Sequence, residues 1–125
     1  MDLRQKGIGM SYKNIRNHIS RLVDIELLLA NAANPAFASD HKGYAVLKEE
    51  IEEAGTEYKQ ITDFDLTGLW RAVKSDAQEA AAFKAVNIRK NAIRLACEAV
   101  QVAAMAKKFE QSQITRNERS KKKNG

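Results

Sequence analysis

The chain is poor in the residues that staple or interrupt structure. Cysteine occurs once, at Cys97, which excludes an intramolecular disulfide. That thiol falls among alanines on a helical pattern and is expected to be buried and inert. Proline also occurs once, at Pro35. No apolar run reaches the roughly 18 residues needed to span a bilayer. The opening Met1-Asp-Leu-Arg-Gln-Lys6 has no apolar stretch of the kind a secretory signal carries, so a cytoplasmic protein is expected. Gly7-Ile8-Gly9 is not followed by Gly-Lys-Ser/Thr, which excludes a phosphate loop. No stretch alternates apolar and polar residues long enough for a sheet, and no repeat of solenoid length is visible. Aromatics are only 6% of residues, while alanine, leucine, glutamate and lysine dominate, which favours helix.

The length of 125 residues suits one domain with a real core. The net charge of +5 is unevenly placed. From Ala106 onward seven basic residues face two acidic ones, an excess of five that accounts for the whole net charge. Residues 1–105 are therefore neutral overall, and the basic pI lends no support to nucleic-acid binding through the body. The end of the chain, with Lys121-Lys-Lys123, reads as a solvated tail, and weak contact with a nucleic-acid backbone is its functional alternative.

Four helices are expected. Residues 1–10 form an arm without periodicity. Ser11 is placed to cap a first helix whose apolar face includes Ile15, Ile19, Leu22, Val23 and Leu27, ending before Asn34-Pro35. Ser39 or Asp40 caps a second helix that runs to about Ile61, with Gly55 as a weak point. Thr62-Asp63-Phe64-Asp65 reads as a break. Leu66, Leu69, Trp70 and Val73 give a short third helix ending near Ser75. Asp76 is placed to cap a fourth, running from Ala77 to about Phe109. Beyond it, residues 111–125 read as a basic disordered tail. The fold class is all-α, a bundle of three or four helices within residues 11–110, its core completed by oligomerisation.

The second helix carries the unusual feature. Leu47, Ile51, Ala54, Tyr58 and Ile61 mark one apolar stripe. Glu50 lies roughly 60° and Glu53 roughly 120° off its centre, on the same side. In the fourth helix Ile88, Leu95, Val102 and Phe109 mark a second stripe, from which Glu98 and Gln101 fall off by the same angles. If these helices pack together, four oxygen-bearing side chains converge. A charge beside a core is costly unless it is paired or binds a metal. Hard cations such as Mg²⁺ take oxygen ligands, and facing helices of a bundle can supply them. A solvated acidic face remains the alternative from periodicity alone.

The residues also resemble a family. Glu49-Glu-Ile-Glu-Glu53 matches the EExxE element of the MazG-type, all-α nucleoside triphosphate pyrophosphohydrolases. Glu98-Ala-Val-Gln101 resembles their ExxD element, which likewise opens onto a helical apolar run. His41-Lys-Gly-Tyr-Ala-Val-Leu-Lys-Glu-Glu50 taken with Glu98-Ala-Val-Gln-Val-Ala-Ala-Met-Ala106 is similar to the small MazG-like proteins of phages and prophages. The resemblance spans about residues 37–109. It implies hydrolysis of a nucleoside triphosphate to monophosphate and pyrophosphate in a homodimer or homotetramer, with Mg²⁺ or Mn²⁺. By position, Glu50, Glu53 and Glu98 would be metal ligands, and Glu49 would hold or activate water. Gln101 stands where the family has aspartate, and its amide oxygen can ligate a cation but cannot act as a base. The interval from Glu53 to Glu98 is longer than is usual for the family.

Arg94 is four residues before Glu98, where it either pairs with that carboxylate or takes a substrate phosphate. His41 precedes the acidic helix and is a second candidate for substrate phosphate. His18, Trp70 and Tyr44 are read as structural or interface residues. A non-catalytic helical module, binding a nucleotide or a protein partner, is the competing function.

Overall fold

The computed structural model describes residues 11–124, so the expected arm at residues 1–10 lies outside the described residues. Ser11 caps α1 (Tyr12–Ala33), its Oγ accepting from the Asn14 N–H at 3.2 Å. A helix start leaves such N–H groups unpaired, and a serine hydroxyl satisfies one of them. Asn34 ends α1, donating its own N–H to the Ala30 carbonyl before Pro35 turns the chain. Ser39 repeats the arrangement for α2 (Asp40–Lys59), accepting from the Lys42 N–H at 3.1 Å.

The break expected at Thr62–Asp65 does not occur. Gln60–Asp65 is a π-helical segment that carries α2 directly into α3 (Leu66–Lys74). Its wider turn admits residues that a regular helix accommodates less well. The Thr62 hydroxyl donates to the Tyr58 carbonyl at 3.2 Å. Asp65 is buried at 3% exposure, held by amide donors from Gln60 at 3.3 Å and Asn91 at 2.6 Å.

Asp76 does not cap the fourth helix as expected; it terminates the third. Its φ of 53° is left-handed, its N–H donates to Val73, and the Ala77 N–H reaches back to Ala72. Those paired reversals close a helix end of the Schellman type.

α4 then runs from Gln78 to Asn124, 47 residues and about 70 Å long. Of the disordered tail expected at residues 111–125, residues 111–124 are instead helix, and residue 125 lies outside the described residues. Ser112 is buried; its hydroxyl donates to the Lys108 carbonyl and accepts from the Phe37 N–H at 3.2 Å. The Gln113 amide donates to Asp40 at 2.6 Å. Arg116 forms an ion pair with Asp40 and donates to the Phe37 carbonyl at 3.0 Å. These contacts fix the first turns beyond Phe109 against the loop between α1 and α2.

α1, α2 and α3 each pack on α4, which is the spine of the molecule. α2 and α4 are antiparallel. Gly43 lies against Phe109, and Asp65 meets Asn91. The core is thin. Leu27, Phe37, Ala104 and Met105 form its buried cluster, with Val23, Val46, Leu47 and Phe109 packed around it. Much of the amphipathic pattern therefore lies uncovered in the single chain. Ile51 and Tyr58, expected on a buried stripe, are exposed, as are Leu28 and Leu29 on α1 and Trp70 and Val73 on α3. Cys97, expected to be buried, is also exposed. No helix among the described residues is long and apolar enough to cross a membrane.

Gly43 and Gly55 make opposite demands. A Cβ at Gly43 would lie 2.7 Å from a Phe109 ring carbon and 2.9 Å from one of Phe37. A Cβ at Gly55 meets nothing within 4 Å. Gly43→Ala is therefore expected to destabilise the fold by about 1–3 kcal/mol through overpacking. Gly55→Ala is expected to stabilise it by about 0.5–1 kcal/mol, since alanine is the better helix residue. Urea unfolding of both variants checks the pair of signs.

Candidate metal centre

The three carboxylates expected to converge do so. Glu50 and Glu53 lie three residues apart in α2, so both project toward the same side of that helix. Glu98 meets them from α4, and one carboxylate oxygen from each of the three lies within 4.8 Å of the others. Glu50 and Glu98 are half-buried, and Glu53 is exposed. The antiparallel packing of α2 on α4 makes the encounter, across an interval of 45 residues in the chain.

The electrostatics of the group are strained in one direction. Partial burial pushes the Glu50 carboxyl above its ordinary value, and the negative charges of Glu53, Glu98 and Glu49 push it further the same way. Glu49 is exposed and stands outside the three-oxygen group, but near enough to add to that repulsion. Among the described residues no ion pair joins a basic side chain to Glu50, Glu53 or Glu98. Glu52, on the same helix, is engaged instead with Lys48 at 2.8 Å.

Gln101 makes a contact to α1. Its Nε2 donates to Glu26 of α1 at 2.8 Å. The Glu26 carboxylate oxygen accepts, so the amide presents its NH₂ to Glu26 and leaves its own oxygen on the side facing away from Glu26. Glu26 was not legible as a site residue. It is one acid between Ile25 and Leu27, and its partner lies 75 positions further along the chain.

Of the two roles expected for Arg94, the ion pair with Glu98 is not formed among the described contacts. Arg94 lines a polar cavity of about 390 Å³ together with Glu57, Gln60, Asp65, Asn87 and Asn91. This cavity continues the acidic group along the same two helices: Glu57 is four residues beyond Glu53, and Arg94 four residues before Glu98. The amides of Gln60 and Asn91 are oriented by Asp65, which accepts from both. Asp65, Gln60 and Asn91 are not legible as a group from the sequence, because the π segment that brings them together has the local composition of a break. His41 is not brought to this place. It lines a separate hollow with Asp40, Tyr44 and Phe109, about 13 Å along α2 from Glu50.

No protein-family model, curated protein or solved structure matches the chain. The chemistry of the site therefore rests on its own residues.

The raised Glu50 value has a measurable consequence. Above the ordinary value of 4.5, the unfolded chain loses the Glu50 proton while the folded chain still holds it. Folding stability contributed by this group therefore declines as pH rises from there to the raised value, and is level beyond it. Without divalent cations, the melting-temperature difference between Glu50→Gln and wild type is expected to grow in favour of the variant across that interval, then level off. Thermal melts in a chelating buffer from pH 4 upward check this, and a constant difference contradicts the assignment.

Proposed function

We propose that the chain is a Mg²⁺- or Mn²⁺-dependent nucleoside triphosphate pyrophosphohydrolase of MazG-like type. The observation that carries this reading is the meeting of Glu50, Glu53 and Glu98 from two helices, the same residues that the EExxE and ExxD resemblance assigns. The donor set fits a hard dication. All three proposed ligands are carboxylates, no protein cation neutralises them among the described ion pairs, and Glu50 is held at a raised value by partial burial and then by its acidic neighbours. When bound there, a divalent cation would neutralise phosphate oxygens and lower the pKa of bound water.

The chain's own residues divide the remaining work. Glu50, Glu53 and Glu98 would hold the cation. Glu49, exposed beside them, would orient an attacking water or accept its proton. Arg94, free of a carboxylate partner among the described contacts and one helical turn from Glu98, is suited to a phosphate oxygen. Gln101, turned toward Glu26, is a positioning residue between α4 and α1. His41 lies too far along α2 to act on the same phosphates and drops out of the substrate set. We further propose that the uncovered apolar faces of α1, α2 and α3 are joined in a homodimer or homotetramer, since exposed apolar surface on this scale marks association.

A second reading has an observation behind it. The neutral amide at Gln101 leaves the site one carboxylate short of the family pattern, which favours nucleotide binding without cleavage. One experiment separates the two. The purified protein is incubated with a panel of ribo- and deoxyribonucleoside triphosphates and Mg²⁺ or Mn²⁺, and both pyrophosphate release and nucleotide binding are measured. The enzymatic reading expects release that stops with chelator and falls by at least about 100-fold in Glu50→Gln, Glu53→Gln and Glu98→Gln. Arg94→Gln is expected to raise KM roughly tenfold, the worth of one hydrogen bond to a charged group. Metal-dependent binding with no release selects the second reading, and neither binding nor release refutes both.

A related expectation concerns Gln101→Asp. It sets a second carboxylate against Glu26, so without metal the variant is expected to melt below wild type. Saturating Mg²⁺ should recover most of that loss if the new acid joins the site. Melting curves with and without Mg²⁺ read this directly.

A further inference from the structure

We infer that the cavity between the loop at residues 34–38, the first turn of α2 and the C-terminal half of α4 is a binding site for a phosphate group. It encloses about 240 Å³ and is separate from the acidic group, since Lys42 on its wall is about 12 Å along α2 from Glu50. Its distinctive residue is Lys108. This lysine is only 6% exposed, yet no described carboxylate pairs with it. Its ammonium lies 4.9 Å from the centre of the Phe37 ring. A ring face attracts a cation but supplies no neutralising charge. Lysines usually bury the stem and keep the head in water. Here all but 6% of the residue is covered, and it lines the cavity.

The surrounding charges point the same way. Lys42 lines the cavity as a second cation with no described acidic partner. Asp40, in the same first turn of α2 as Lys42, is occupied by Arg116 and by the Gln113 amide. The first turn of α2 adds the positive end of its helix dipole beside Ala38 and Lys42. Two ammonium groups, each with three rotatable donors, suit an oxygen-rich dianion. A carboxylate is better served by the planar fork of an arginine. The volume holds a phosphoryl group and part of what it is attached to, so a phosphomonoester fits as well as inorganic phosphate.

Inorganic phosphate is the probe. Thermal melts and calorimetric titrations are run on the full chain with chelator present, at an ionic strength fixed with sodium chloride. Wild type and Glu50→Gln are expected to show the same saturable stabilisation by phosphate, and acetate to show none. Lys108→Met keeps the stem volume and removes the charge, and is expected to weaken phosphate binding at least tenfold. Lys42→Gln, on the surface, is expected to weaken it severalfold and serves as the second variant should Lys108→Met fail to fold. The proposal is overturned if wild type gives no saturable response, if acetate is as effective, or if phosphate binds the Lys42 and Lys108 variants as it binds wild type.

Discussion

The antiparallel register of α2 against α4 is the constraint on which the molecule depends. It is pinned at two places. At one end Gly43 lets the rings of Phe109 and Phe37 lie against the α2 backbone, the two rings tilted at 48° with centroids 6.4 Å apart. At the other end the buried Asp65 carboxylate is held by Asn91 from α4, and Gly68 lies under the Lys84 stem. Glu50, Glu53 and Glu98 meet between these pins. A slip of one residue in either helix would turn its acids by about 100° and disperse the group. Three carboxylates repel one another, so their convergence opposes folding. It persists because packing at the two ends fixes the helices regardless of what lies between.

The π segment holds together through contacts that local composition does not reveal. Thr62, Asp63 and Asp65 are poor helix residues, and a local argument breaks the helix there. Asp65 instead finds two amide donors, one of them 26 residues away, and the Thr62 hydroxyl returns to a carbonyl of its own helix. Such partners are invisible to propensity. What was legible was local: the serine caps at Ser11 and Ser39, the stop at Asn34-Pro35, the short helix from Leu66, and the angular offsets of Glu50, Glu53 and Glu98. What was not legible depends on contact across the chain, as with Glu26 and Gln101. The same holds for the fate of residues beyond Phe109, whose polar composition suggested disorder. Ser112, Gln113 and Arg116 find their partners in the loop and the start of α2.

The apolar stripes pose a different problem. Periodicity marks a face that wants cover but cannot say whether the same chain provides it. Leu47, Leu95 and Val102 are at least half-covered, while Ile51, Tyr58, Trp70 and Ile93 are exposed. The exposed Cys97 belongs with them: the alanine-rich surroundings that point to a buried thiol are there in the sequence, but no element among the described residues lies over it. Small residues on α4 bring the other helices close without filling much volume, which is why so long a spine shelters so few large side chains.

Charge follows the same spine. The basic excess that the sequence assigns to a tail is partly consumed within the fold: Arg116 answers Asp40, and Lys107 reaches Asp24 of α1 at 2.7 Å. Glu98 and the enclosed Lys108 sit ten residues apart on α4, about 15 Å along one helix. One rigid element therefore presents opposite, uncompensated charges at two depths of the same bundle. Each is costly for folding alone, and each is held by packing that does not depend on its sign: Glu98 by the register of α2, Lys108 by Phe37 and Ser112. Side chains fixed in this way are already arranged before any ion arrives, so an ion that binds meets little cost of ordering them.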